Sequence, residues 1–223
     1  MGNGFQKSSV LALVLTLACS ATQAALYTYD FPGSPGSGLA TDQTNSQPSG
    51  ATFSDFTRNG GLTGSGASDV FGSKNWSPNA ALDPTVFTGF TITAAPGMVL
   101  SLSQLTFDSL KNGAQTVNAE VDLFLNGSAT AYASFAWTPQ NAPMTSYVFD
   151  FADVNAADNV TTATFKFFVW NANTTNEVQF DNVATFGAAS VPEAGNFGPV
   201  AAVTAGAVLL RRRVHRGETK AAV

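Results

Sequence analysis

Glu120 and Asp122 stand two residues apart in the run Thr116 to Leu125, where polar and apolar residues alternate. On a strand that spacing puts both carboxylates on one face. A glycosidase needs such a pair of acids, and Glu177 would be the third candidate. The same alternation makes their face the solvent side of a half-buried strand, which is the favoured reading.

Other chemistries fail for lack of residues. Cys19 and His215 are the chain's Cys and His, one near each end, so residues 25–190 have neither. That stretch therefore has no Ser-His-Asp or Cys-His arrangement, no disulfide and no zinc-type ligand set. It also has no Gly-x-Ser-x-Gly elbow and no phosphate loop. The expectation is a protein that is not an enzyme. Thirteen acidic side chains face four basic ones (Arg58, Lys74, Lys111, Lys166) in this stretch, a net of −9. Phosphate binding needs the opposite sign, so no nucleic-acid partner is expected. The charge suits solubility, divalent cations, or a cationic or neutral matrix.

Phe180-Asp181-Asn182-Val183 places two polar residues inside an apolar strand. Such groups are costly unless satisfied. One solution is a bulge whose Asp and Asn bond neighbouring backbone. The motif also resembles the last strand of jelly-roll carbohydrate-binding modules. That resemblance implies a structural Ca2+ on Asp181; Asn182 and Asp30 join it as candidate ligands by proximity alone, and hard oxygens suit that ion. Asp150, Asp153, Asn155, Asp158 and Asn159 lack the spacing of a helix–loop–helix calcium loop and read as a polar turn. Among the tryptophans, Trp137 and Trp170 fall in registers that read as core. Trp76, between Asn75 and Asn79, is the candidate to stack on a sugar ring, with a tryptophan covering the sandwich edge as the alternative.

The elements that must hold these residues are strands. Leu26 to Phe31, Ala51 to Thr57, Thr85 to Thr93, Thr116 to Leu125, Ser128 to Trp137, Tyr147 to Phe151, Thr164 to Asn171 and Glu177 to Phe186 carry strand patterns. Another begins at Val70-Phe71. Val99 to Phe107 changes phase between Leu102 and Leu105, which predicts a bulge. Asn126-Gly127 predicts a two-residue hairpin turn. Thr164 to Asn171 is apolar on both faces and reads as a central strand. Loops rich in Gly, Pro, Ser and Asn separate these runs, and no useful window has helical period. The predicted fold is all-β: an antiparallel β-sandwich, jelly-roll-like, over residues 25–190.

Both ends read as addresses. Residues 1–24 have a lysine, a short apolar core and Thr22-Gln23-Ala24, the pattern of a signal peptide. Residues 191–223 carry Val191-Pro192-Glu193, an apolar run Phe197 to Leu210 and the basic stop Arg211-Arg212-Arg213. A bilayer core takes about 20 apolar residues in a helix, so this run spans only marginally. The order resembles the PEP-CTERM sorting signal of Gram-negative, exopolysaccharide-producing bacteria, with Ala194 where that family has a second proline. The resemblance implies an exosortase that reads Pro192-Glu193, transient membrane association, and delivery across the inner membrane to the envelope, cell surface or extracellular matrix. A signal helix and a short C-terminal hydrophobic helix would lie outside the sandwich. The expected role is structural or adhesive and non-catalytic. A calcium-stabilised carbohydrate-binding module is the alternative, and a polysaccharide hydrolase or lyase is the least favoured.

Overall fold

The computed structural model describes residues 25–33, 47–65, 68–152 and 157–192. Residues 1–24, expected to be a signal peptide, Glu193 and the apolar run with Arg211, Arg212 and Arg213 lie outside the described residues, and so do both terminal helices expected there.

Among the described residues twelve strands run in order: β1 Ala25–Tyr29, β2 Ala51–Phe53, β3 Thr57–Arg58, β4 Thr63–Gly64, β5 Phe71–Lys74, β6 Phe87–Ala94, β7 Val99–Asn112, β8 Asn118–Leu125, β9 Ala133–Trp137, β10 Thr145–Asp150, β11 Thr162–Trp170 and β12 Glu177–Ser190. They form two six-stranded sheets, and every pairing is antiparallel. Sheet A has the order β10-β7-β12-β5-β4, with β1 also on β12; sheet B has β2-β6-β11-β8-β9, with β3 also on β6. From β6 onward every connection except β8–β9 crosses between the sheets.

The inner faces meet in an aromatic core. Phe167 of β11 lies 5.2 Å from the ring of Phe107 on β7 and 5.1 Å from Phe180 on β12. Phe56, fully buried between β2 and β3, touches Phe71 and Phe180 on one side and Phe90 and Phe167 on the other. Edge-on and tilted rings dominate, as their quadrupoles favour. In a sandwich without cysteine these contacts supply the burial that holds the sheets together.

Two irregularities follow the local chemistry. Register slips by one residue between Phe186↔Gln104 and Gly187↔Leu102, so Ser103 is the extra residue that the apolar phase change in β7 predicts. A second bulge sits at Asp181 to Ala184, where Asn182 takes a φ of 47°. The turn after β8 has Asn126 and Gly127 at φ 51° and 73° and a Ser128 N–H bond to the Leu125 carbonyl, as expected.

The return strand differs: it pairs only from Ala133, opposite Leu123. The Ser128 hydroxyl accepts from the Thr130 N–H and donates to the Thr130 carbonyl, which curls Ser128 to Thr130 into a local turn. The Asn126 side chain meanwhile accepts from the Thr161 N–H, and its backbone N–H donates to the Thr162 carbonyl, keeping the end of β8 with β11.

Candidate functional site

The outer face of sheet B brings the chemistry together. Ala119, Val121 and Leu123 of β8 enter the core, as do Phe165, Phe167 and Val169 of β11 and Phe90 and Ile92 of β6. The alternate residues therefore point outward. Register places Glu120 beside Phe168, and Phe168 beside Phe87. The next row runs Ser134, Asp122, Lys166, Gly89, and the row after it Phe124, Thr164, Thr91. Trp170 stands opposite Asn118 at the end of β11.

Phe168 is almost fully buried and packs on Phe87 with ring centres 5.8 Å apart. The Lys166 ammonium sits 4.6 Å from the ring centres of both Phe87 and Phe124, a double cation–π contact. The Thr91 and Thr164 hydroxyls bond each other at 2.9 Å. Asp122 is only 9% exposed, and its Oδ1 is buried with no hydrogen-bond partner. Burial, then the Asp122 charge and a hydrogen bond to Asp122, raise the Glu120 carboxyl above the ordinary glutamate value. Among the described residues no ion pair reaches either acid; the salt bridge is Lys74 to Glu177.

Several sequence expectations change. The face of Glu120 and Asp122 is the outward one, as expected, but Asp122 is covered rather than solvated. Glu177 lies in sheet A, its neighbour Val178 pointing to the core, so it is on the opposite side of the sandwich from Glu120. It is buried, accepting from the Ser65 hydroxyl at 3.0 Å and from the Gln179 amide. The three acids do not form one site.

Trp76 is 2% exposed, and its indole donates to the Ser73 carbonyl at 2.8 Å. It presents no ring face to a ligand; the polar residues around it in sequence lie outside a ring that turns inward. Trp170, expected in the core, is instead half-buried on the outer face. Trp137 is core. Sequence reasoning misses Lys166, Phe87 and Phe124. A lone lysine inside the apolar run Phe165 to Trp170 is the available signal.

At the Asp181 bulge, the Asn182 amide nitrogen donates to Asp108 Oδ2 at 2.9 Å and to Asp181 Oδ2 at 3.3 Å, and the Asn182 backbone N–H donates to Asp181 Oδ1 at 2.8 Å. This is the self-satisfied bulge that the sequence allows. Burial raises the Asp181 carboxyl; the Asn182 N–H opposes that, and the charges of Asp108, Asp30 and Asp69 add to it. Asp30, the candidate from the first strand, is close enough for its charge to act on Asp181. Among the described residues, no three His, Cys, Asp or Glu side chains are arranged to hold a metal ion. Asn182 aims a donor, not an oxygen, at the carboxylates.

Val191 and Pro192 leave the end of β12 beside Val99, Ser101, Asp158 and Asn159, and Val191 is exposed.

No protein-family model matches the chain, and no curated protein matches it. Solved structures do. A CBM4 structure is 14% identical, covering 54% of this chain and 87% of its own, with a TM-score of 0.29. An exo-β-agarase is 15% identical over 71% of this chain and 25% of its own, at 0.37. A family 11 carbohydrate-binding module of a Clostridium thermocellum cellulosomal cellulase is 12% identical over 70% and 96%, at 0.27.

Proposed function

We propose that the chain is a secreted, non-catalytic β-sandwich of jelly-roll type that binds polysaccharide through the outer face of sheet B. The observation that carries this is the row-by-row meeting of a half-buried tryptophan, phenylalanine rings, threonine hydroxyls and two carboxylates on one sheet face. Flat rings cover the apolar faces of sugars, and carboxylates accept from their hydroxyls. Catalysis is not part of this reading, because Glu177 lies across the sandwich from Glu120 and Asp122. The ends complete it: residues 1–24 as a signal peptide, 25–190 as the module, and 191–223 as the tail that an exosortase reads, giving an adhesive or structural role in the envelope or exopolysaccharide matrix.

The test is affinity electrophoresis and calorimetry of the purified chain against a panel of extracellular polysaccharides. Retardation by at least one polymer is expected, with no new reducing ends. Trp170→Ala should weaken it about tenfold. Absence of binding to every polymer, or binding untouched by Trp170→Ala, ends this reading.

A second reading adds a structural calcium ion at Asp181, with Asp30 and Asn182 beside it. The charges of Asp108, Asp30 and Asp69 acting on Asp181 support it; the Asn182 donor geometry and the lack, among the described residues, of three acids arranged around one point oppose it. Chelator lowers the melting temperature if the ion is bound, since a native-state ligand stabilises. Coincident curves with and without chelator remove it. In chelator the carboxylate repulsion stands alone. A raised folded pKa means stability falls as pH rises through the Asp181 titration. Asp181→Asn should then raise the melting temperature by roughly 2 °C at neutral pH, an effect kept small by solvent screening. The gain should vanish in acid, where the wild-type carboxyl is protonated.

A further inference from the structure

We propose that the outer edge of β10 is a homodimer interface, where two copies of the chain pair β10 with β10, antiparallel, about a two-fold axis at Val148. The proposal stands apart from the polysaccharide reading, and it leaves the outer face of sheet B open.

The first observation is backbone parity. β10 ends sheet A and pairs only with β7 among the described residues. Just past the strand, the Phe151 N–H bonds to the Ser103 carbonyl, its opposite number if the β10–β7 register is continued. Bonded pairs alternate along an antiparallel ladder. Thr145, Tyr147 and Phe149 therefore bond to β7. Ser146, Val148 and Asp150 turn their N–H and C=O groups away from it.

The second is that nothing guards this edge. Sheet edges are ordinarily kept short or carry a lysine, a proline or a bulge. β10 has six residues, while the other edge strands have two (β3, β4), three (β2) or five (β1, β9). It contains no Lys or Pro, and its register with β7 has no shift. Phe149 enters the core, so Val148 points outward, and it is 50% exposed.

The third is self-complementarity. With Val148 opposite Val148, Ser146 of one copy faces Asp150 of the other, and Tyr147 faces Phe149. Each outward residue then exchanges its N–H and C=O bonds with its counterpart. Apolar side chains meet apolar ones on both faces, and no two acids stand directly opposite. Sliding one strand by two residues is the smallest step that keeps the outward groups paired. It sets Val148 opposite Ser146 or Asp150, so one register is preferred.

The symmetry also closes the assembly. Each copy uses its own β10, and a dimer leaves no such edge for growth. An extended segment of another protein would pair through the backbone alone; the like-with-like register favours a second copy. One strand a side is a small interface, below the roughly 1,200 Å2 of a stable complex. Both copies also carry the net −9 of residues 25–190. The dimer is therefore weak, and salt strengthens it by screening that repulsion.

Sedimentation equilibrium of the full chain from about 1 µM to about 1 mM covers the affinities of such an interface. A monomer–dimer equilibrium is expected, tighter at higher salt. Val148→Lys sets two ammonium groups face to face while lowering each copy's negative charge. It should weaken the dimer at least about tenfold, against the trend in overall charge. Val148→Pro removes an N–H that β7 does not use, and should weaken it similarly. Both variants should keep the wild-type circular dichroism spectrum. Register is read by cross-linking with oxidised glutathione in a Cys19→Ser background, Cys19 being the chain's own thiol. Bonded antiparallel pairs hold their Cα atoms about 5.5 Å apart, within disulfide reach. Val148→Cys should give a covalent dimer. Ser146→Cys, which faces Asp150 and not itself, should not.

A chain that stays monomeric throughout overturns the proposal and leaves the edge to another protein's strand. Oligomers untouched by Val148→Lys overturn it by placing association elsewhere, as the apolar runs at the chain ends would. Equal cross-linking at both cysteines overturns the register. None of these outcomes bears on polysaccharide binding.

Discussion

Phe167→Ala should lower the unfolding free energy by about 3–5 kcal/mol, the range for emptying a buried aromatic position. Phe167 is fully buried at the middle of β11, the central strand of sheet B. Its ring meets Phe107 and Phe180 of sheet A, Trp137 of its own sheet and Phe56 between them, at 5.2, 5.1, 6.1 and 5.6 Å. Removing it deletes its own transfer free energy and leaves a hole lined by rings that cannot all move in. Each edge-on partner also loses a contact worth about 0.5–1.5 kcal/mol beyond area. A domain of this size has a stability of roughly 5–15 kcal/mol, so the loss is a large share of the whole. It should show in urea as a lower midpoint at unchanged slope, with a melting temperature about 10 °C lower. Phe167→Leu, which keeps most of the volume, should cost no more than about 1.5 kcal/mol. If the two variants unfold at the same urea concentration, the inter-sheet aromatic contact is not where the structure puts it.

That core is readable because it is written at period two. Val117, Ala119, Val121, Leu123 and Leu125 could only be one buried face, and they are. The unbroken apolar run of β11 could only be central, and it has β6 on one side and β8 on the other. Even the two bulges leave marks, one as a phase change after Leu102 and the other as Asp181-Asn182 inside an apolar strand.

The site is harder, for a physical reason. A face that binds is assembled across strands, and register decides it. Lys166 becomes interesting only when Gly89 and Asp122 are known to flank it, and nothing in the local sequence supplies those pairings. Trp76 misleads because its neighbours are polar. The ring direction is set by a bond from its indole to the Ser73 carbonyl three residues back, which composition does not encode. Trp170 misleads in the opposite way: where both faces of a strand are apolar, period alone cannot say which one is open. The shift of β9 comes from a serine hydroxyl that outcompetes the first rungs of a hairpin ladder.

Register also makes Gly89 the point where fold and binding face are coupled. Gly89 of β6 pairs with Lys166 of β11 and is buried within the sheet. A Cβ there would lie 2.1 Å from the Phe165 carbonyl oxygen and 3.2 Å from the Lys166 Cα. Both atoms are backbone, so the clash cannot be relieved by turning a side chain. Gly89→Ala must push β6 away from β11 at that row. The expected loss is about 2–3 kcal/mol, at the upper end for overpacking because ladder bonds stretch as well.

Gly61 provides the control: it has a φ of 82°, and a Cβ added there would meet nothing within 4 Å, so Gly61→Ala pays only for backbone conformation, about 1 kcal/mol. The coupling appears in a second readout. Displacing the Lys166 row moves the ammonium off Phe87 and disturbs Asp122 beside it, so Gly89→Ala should also weaken polysaccharide binding at temperatures where it is still folded. Gly61→Ala, in the turn between β3 and β4 with open space at its Cβ, should bind as wild type. Equal destabilisation by the two alanines, or a Gly89→Ala protein with unaltered affinity, would show that the β6–β11 contact is looser than its register implies and that the face does not depend on it.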